Sequence, residues 1–191
     1  MRDYIVISLG ELMKEADVEL IKIKDVFKKF SCQRETDLED FLLHRAIEYQ
    51  NIEYGKTFLL IDKNEISEGN IEVIAFFTIG TTALDISCLS VKQKRKIIGN
   101  LPGRDRLDYI SAYLIGQLGR NDKYSKEDMP GEIILYECYN QLKMAQAIVG
   151  GKLIILECRD ALCNFYESKG FSELSTASKE NLHTYYKKFN F

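Results

Sequence analysis

The sequence predicts a mixed α/β (α+β) fold: a central, mostly antiparallel mixed sheet flanked by helices, with a βαβ crossover in its C-terminal half. Three observations predict it. Two strand-like runs, Lys56–Asp62 and Ile71–Ile79, are joined by the polar, glycine-bearing segment Lys63–Asn70, which is a hairpin pattern. After Pro130, Leu135, Cys138, Leu142, Ala145 and Val149 recur at three- and four-residue steps, which predicts a helix with one buried face. That helix lies between a Tyr- and Ile-rich strand, Asp108–Gly119, and an apolar strand, Lys152–Cys158. A long helix between two such strands is a crossover connection.

The other elements follow in order. Residues 1–28 form a charged, lysine-rich extension, and the core of a single domain, 1–191, begins near residue 29. Val18, Ile21 and Ile23 fit a helix or a short strand equally. Thr36–Tyr49 predicts an amphipathic helix, capped by Thr36 with Glu39 as its capping-box partner. Its apolar face is Leu38, Phe41, Leu42, Ala46 and Tyr49. Ala83–Leu89 is a short strand-like run, and Ser90–Arg106 a polar, basic excursion. Pro130 opens the long helix at a position where a missing N–H costs nothing. Gly150 and Gly151 end it. Asp160–Lys169 is a short helix ended by Gly170. The tail, Ser172–Phe191, holds two strand-like pieces with a turn near Ser178–Asn181.

Composition narrows the functional class. Hydrophobic residues make up 46% of the 191, enough for a core, and the longest apolar runs are far short of the ~20 residues needed to cross a membrane. The opening MRDYIVISLG lacks the basic stretch and cleavage site of a signal peptide, which places the protein in the cytoplasm. A net charge of −3 argues against a nucleic-acid coat without excluding one local basic face. The five cysteines show no CxxC pair and the chain has two histidines, so no metal site is expected. Reduced, mostly buried thiols are the natural reading of that odd count. There is no GxSxG, GxxxxGK[ST] or HExxH motif. KQKRK, Lys92–Lys96, reads as a solvated face that could also meet phosphate.

The stretch from Asp108 to Phe171 carries the chemistry. It holds a strand ending in LIGQLGRND, the loop YSKEDMPGE, the long helix, the strand KLIILEC and the string FYESKGF. In that order these resemble the GNAT superfamily of N-acetyltransferases, and within it the subset that includes the acetyltransferase toxins of bacterial toxin–antitoxin pairs. The resemblance covers roughly Lys29 to Leu174, the upstream helix DLEDFLLHRAIEYQ included.

The resemblance implies acetyl-CoA as co-substrate and no metal. A helix N-terminus suits the pyrophosphate of coenzyme A because it offers unpaired N–H groups and a positive dipole end. Against the family pattern Gln/Arg-x-x-Gly-x-Gly/Ala, Gly131 matches the last glycine, Lys126 keeps the positive charge, and Met129 departs from the first glycine. Pro130 removes a donor, and Glu127 and Asp128 are awkward beside phosphate. The implied cradle is the 126–132 loop, through Glu132, together with the strand end Leu118, Gly119 and Arg120, whose backbone would pair with the pantetheine arm. Tyr166 sits where the family places the acid that protonates the departing thiolate. Arg159 stands where many members have an asparagine, and Asn164 is the polar alternative nearby. Phe165 and Phe171 read as core, and Gly170 as a helix-ending turn.

The amine acceptor, whether small molecule, protein or tRNA-linked, must lose a proton to attack. Asp108, Tyr113, Gln117 and Glu72 are rim residues within the candidate region for a base. The leading expectation is direct acetyl transfer to an amine. The departures in the loop keep open a catalytically weak binding or regulatory module, and the toxin resemblance keeps open acetylation of aminoacyl-tRNA. A homodimer also remains open.

Overall fold

The computed structural model describes residues 1–14, 20–174 and 182–189. The Ser178–Asn181 turn and Val18 lie outside these residues. The strands are β1 Tyr4–Ser8, β2 Lys56–Asp62, β3 Val73–Asp85, β4 Tyr109–Arg120, β5 Leu153–Cys158, β6 Ser172–Glu173 and β7 His183–Lys188. They form one seven-stranded sheet in the order β1-β2-β3-β4-β5-β7-β6. β4 and β5 pair in parallel, and the β1–β2, β2–β3, β5–β7 and β6–β7 pairs are antiparallel. The expected mixed, mostly antiparallel sheet with a crossover is therefore present. Among the described residues no helix is long and apolar enough to cross a membrane.

The chain divides into two compact units, Met1–Gly80 with Gly116–Lys143, and Thr81–Ile115 with Met144–Phe191.

In the first unit, β1 pairs with β2 from Tyr4↔Asp62 to Ser8↔Phe58. Tyr4–Ser8 is thus built into the sheet. Leu9, Leu12, Ile23 and Phe27 from α1 (Leu9–Lys14) and α2 (Leu20–Phe27) are at most 6% exposed and join one apolar cluster with Phe41, Leu42 and Phe76. Ile23 accordingly belongs to a helix. The predicted helix at 36–49 becomes α3 (Thr36–Asp40), a π-helical turn (Phe41–Arg45) and α4 (Ala46–Asn51). Its apolar face is as expected, but the cap is not. Thr36 is already helical, Glu35 is the N-cap, and Glu39 instead accepts a bond from the Cys32 N–H. The hairpin connection holds a short helix, α5 (Lys63–Ser67), whose N-cap Asp62 accepts from the Asn64 N–H. The start of α7 (Gly131–Val149) is tied to β1 by Tyr4 Oη donating to Glu137 Oε1 at 2.8 Å. Burial, then the Glu137 carboxylate, pushes that phenol up to about 12.

The second unit differs most from expectation at residues 90–106. This excursion holds α6 (Val91–Ile98), started by a complete capping box between Ser90 and Gln93. Ile97 and Ile98 enter an apolar cluster with Leu153, Ile155 and Tyr186. Lys94 is 5% exposed and donates to the Leu107 carbonyl, so the basic run presents only Lys92, Arg95 and Lys96. The last turns of α7 are also less buried than the periodicity suggests: Ala145 is half-buried and Val149 exposed. Gly150 and Gly151 end the helix at φ 72° and 123°. A Cβ at Gly151 would stand 2.5 Å from Tyr113 Cε2, so only glycine fits there.

Candidate active site

The strand end comes from the first unit. β4 pairs with β5 over Tyr113–Ile115 and continues through Gly116–Arg120. Asn121 pins that end. It is 1% exposed, its N–H donates to the Ile74 carbonyl at 2.8 Å, and its Nδ2 donates to the Val73 carbonyl at 3.0 Å. Gly119 allows α3 to come close, since a Cβ there would meet Leu38 Cδ1 at 2.8 Å. Leu118 and Arg120 are half-buried. Arg120 reaches from the strand to the loop, donating from a guanidinium nitrogen to the Met129 carbonyl at 3.0 Å. The strand end and the loop are thereby joined.

The loop is anchored at its start by Tyr124, 4% exposed, whose hydroxyl donates to Asp62 Oδ2 at 3.1 Å. Desolvation raises that phenol, with Glu72 and Asp62 adding to it. Arg2 lies 5.8 Å from the Tyr124 ring centroid, within 3.9 Å of the Asp62 and Asp128 carboxylates, and its N–H donates to the Asp128 carbonyl. Sequence reasoning missed Arg2, Tyr124 and Asn121, because each acts on the loop or strand through a distant partner.

Within the loop the polar groups satisfy one another. Ser125 N–H donates to Asp128 Oδ2 and Asp128 N–H to Ser125 Oγ, each at 3.1 Å. Met129 N–H donates to the Ser125 carbonyl. The Ser125 backbone and hydroxyl hold the Asp128 carboxyl below its ordinary range, and Glu127 is lowered by its own N–H and the Ser125 hydroxyl. Met129 is fully buried, Lys126 is exposed, Gly131 begins α7, and Glu132 lies exposed in its first turn.

The second unit carries α8 (Asp160–Ser168) with Tyr166 and Asn164. Tyr166 is 5% exposed, its ring edge-on to Phe165 at 5.0 Å and to Phe171 at 5.6 Å. Asn164 is exposed. Gly170, at φ 82°, turns the chain into β6. The first turn of α8 is held by His183, whose Nε2 lies 2.6 Å from Asp160 Oδ1 and Nδ1 2.7 Å from Glu173 Oε1. Those carboxylates, Glu173 first, raise its pKa. Further along α8, Glu167 accepts from Tyr185 Oη at 2.9 Å.

Two candidate bases are already engaged. Tyr113, 5% exposed, donates to the Gly150 carbonyl, and Glu72 is paired with Lys123 Nζ at 2.5 Å. Gln117 is half-buried and Asp108 exposed.

No protein-family model matches the chain, and no curated protein matches it by sequence. Solved structures do match. A bacterial toxin aligns over 98% of this chain and 92% of its own, at 17% identity and TM-score 0.70. AtaT complexed with acetyl-methionyl-tRNAfMet aligns over 95% and 94%, at 19% identity and TM-score 0.68. AtaTR bound with acetyl-CoA aligns over 97% and 94%, at 19% identity and TM-score 0.69. The fold is that of these solved structures, along nearly the whole chain. At these identities the likeness is one of fold.

Proposed function

We propose that this protein is an acetyl-CoA-dependent N-acetyltransferase that moves an acetyl group directly to an amine. The observation that carries the proposal is the GNAT fold, spanning 97% of the chain against AtaTR bound with acetyl-CoA, with a β4 end and an α7 start joined by the Arg120–Met129 bond. The backbone of Leu118, Gly119 and Arg120 would hold the pantetheine arm, and residues Lys126, Met129, Gly131 and Glu132, at the start of α7, would meet the pyrophosphate. The fit is incomplete, because N–H groups at Ser125, Asp128 and Met129 are spent inside the loop and Pro130 has none. The co-substrate supplies an activated acetyl thioester. Tyr166 supplies a proton from its hydroxyl to the departing sulfur, and the Phe165 and Phe171 rings set the orientation of its own ring. Asn164 is assigned a polar contact to the arm. The protein works in the cytoplasm and as a single domain.

Titration with acetyl-CoA by calorimetry tests the proposal, and no binding at millimolar co-substrate would sink it. Turnover against a panel of amines then separates an enzyme from a binding module, since binding with no transfer to any amine would favour the module.

A narrower acceptor is favoured by one neighbour, AtaT complexed with acetyl-methionyl-tRNAfMet, together with the exposed Lys92, Arg95 and Lys96 of α6. On this reading the amine is that of an aminoacyl-tRNA. Acetylation of charged tRNA in vitro, lost when these three residues become glutamine, tests it. Unchanged acetylation by the triple variant would remove α6 from the interface.

A further inference from the structure

The geometry points to the Arg120 side chain, more than the loop backbone, as the group that supplies the main contact to the coenzyme A pyrophosphate beside the 126–132 loop. This rests on the acetyl-CoA reading above. A phosphate bound at a helix start is normally met by free backbone N–H groups. Here those of Ser125, Asp128 and Met129 are bonded to Asp128 Oδ2, Ser125 Oγ and the Ser125 carbonyl, and Pro130 has none. Glu127 is also drawn in, since its own N–H and the Ser125 hydroxyl hold its carboxyl below the ordinary range. The loop therefore presents few free donors to an anion, and it adds two carboxylates of its own.

The charge must then come from side chains. Around the loop, Arg2 is shared between Asp62 and Asp128, and Lys123 is paired with Glu72. Lys126 is exposed, and a lysine there is a mobile point charge. Arg120 differs from all three. Among the described residues it forms no ion pair, it is half-buried, and one of its N–H groups is anchored on the Met129 carbonyl at the foot of α7. The anchor fixes the planar fork at the helix start and leaves its other donors for a bidentate phosphate contact. Arg120 thus contributes twice: its backbone belongs to the strand edge, and its guanidinium takes over the charge that a free loop would supply.

The experiment measures binding of three ligands: acetyl-CoA, S-acetylpantetheine, which has the thioester arm without the pyrophosphate, and 3′-phosphoadenosine 5′-diphosphate, which has the pyrophosphate without the arm. The proteins are the unaltered chain, Arg120→Ala, Arg120→Lys and Lys126→Ala. Arg120→Ala should weaken acetyl-CoA and the diphosphate roughly tenfold or more, a change of about 1.4 kcal/mol per decade, and leave S-acetylpantetheine within about twofold. Arg120→Lys should fold as the unaltered chain does and fall between, because it keeps the charge and loses the fork. Equal weakening of all three ligands would overturn the assignment, since Arg120 would then only shape the strand end. So would a neutral Arg120→Ala beside a damaging Lys126→Ala. If the unaltered chain binds no acetyl-CoA, the parent proposal falls and takes this one with it.

Discussion

Two helix starts, one in each compact unit, hold candidate residues, and they are held in opposite ways. The loop before α7 is stitched locally, by Asp128 and Met129 each bonding to Ser125 within five residues. The start of α8 is held from afar, by His183 of β7 bridging Asp160 and Glu173. The first arrangement satisfies backbone groups; the second pairs charges. A loop that closes on itself keeps its shape without help but has few donors left for a ligand. A helix held by a histidine depends on pH for its grip.

The largest expected effect bears on the local side of this contrast. Met129→Gly would empty a fully buried position, and should lower unfolding stability by about 3 kcal/mol in urea. A loss under about 1 kcal/mol would show that Met129 is no anchor. On the α8 side, Tyr166→Phe should slow acetyl transfer on the order of 100-fold with acetyl-CoA binding kept within about twofold. An unchanged rate would remove Tyr166 from the acid role. Ser125→Ala should cost ~1 kcal/mol by leaving the Asp128 N–H without its Ser125 Oγ acceptor. Combining it with Asp128→Ala should add little, because the two side chains serve one arrangement. Full additivity would break that view.

The smallest effect separates the two starts by sign. The raised His183 pKa means the charged bridge stabilises the fold fully below the ordinary histidine value of 6.5, and loses that contribution as pH rises through the folded value. The depressed Asp128 pKa works the other way, contributing above the ordinary aspartate value of 3.8 and failing only as pH falls through the lower folded one. Between pH 6 and 8, melting temperature should therefore drift down in the unaltered chain and flatten in His183→Gln, while Asp128→Asn keeps the drift. An undiminished slope in His183→Gln would assign the drift to another group.

Much of the fold was legible because it is written in short-range pattern. The β2 boundaries match at both ends, and Leu38, Phe41, Leu42 and Ala46 do face the core. The helix at 91–98 was not legible as such, since VKQKRKII reads as charge. Its cap, Ser90 with Gln93, was the signal that could have found it, and the burial of Lys94 depends on a carbonyl thirteen residues away. The N-terminal strand was hidden for a similar reason, because β1 is half-buried at every position but the exposed Ile5 and shows no clean alternation. In the candidate loop, the sequence could not show that Asp128 bonds the loop's own backbone. That depends on a turn geometry, and the Arg2 and Tyr124 anchors depend on Asp62, roughly sixty residues from each.

Neither compact unit is a continuous piece of chain. The first needs Met1–Gly80 and Gly116–Lys143, and the second needs Thr81–Ile115 and Met144–Phe191. On a ribosome adding roughly 5–20 residues per second, the first eighty residues wait for their complement while a segment of the other unit is synthesised. A single cut of the gene anywhere between residues 1 and 143 leaves neither unit whole on the N-terminal side. Split-protein designs would therefore need the halves to exchange segments in order to fold, which makes reassembly itself a sensitive reporter of association.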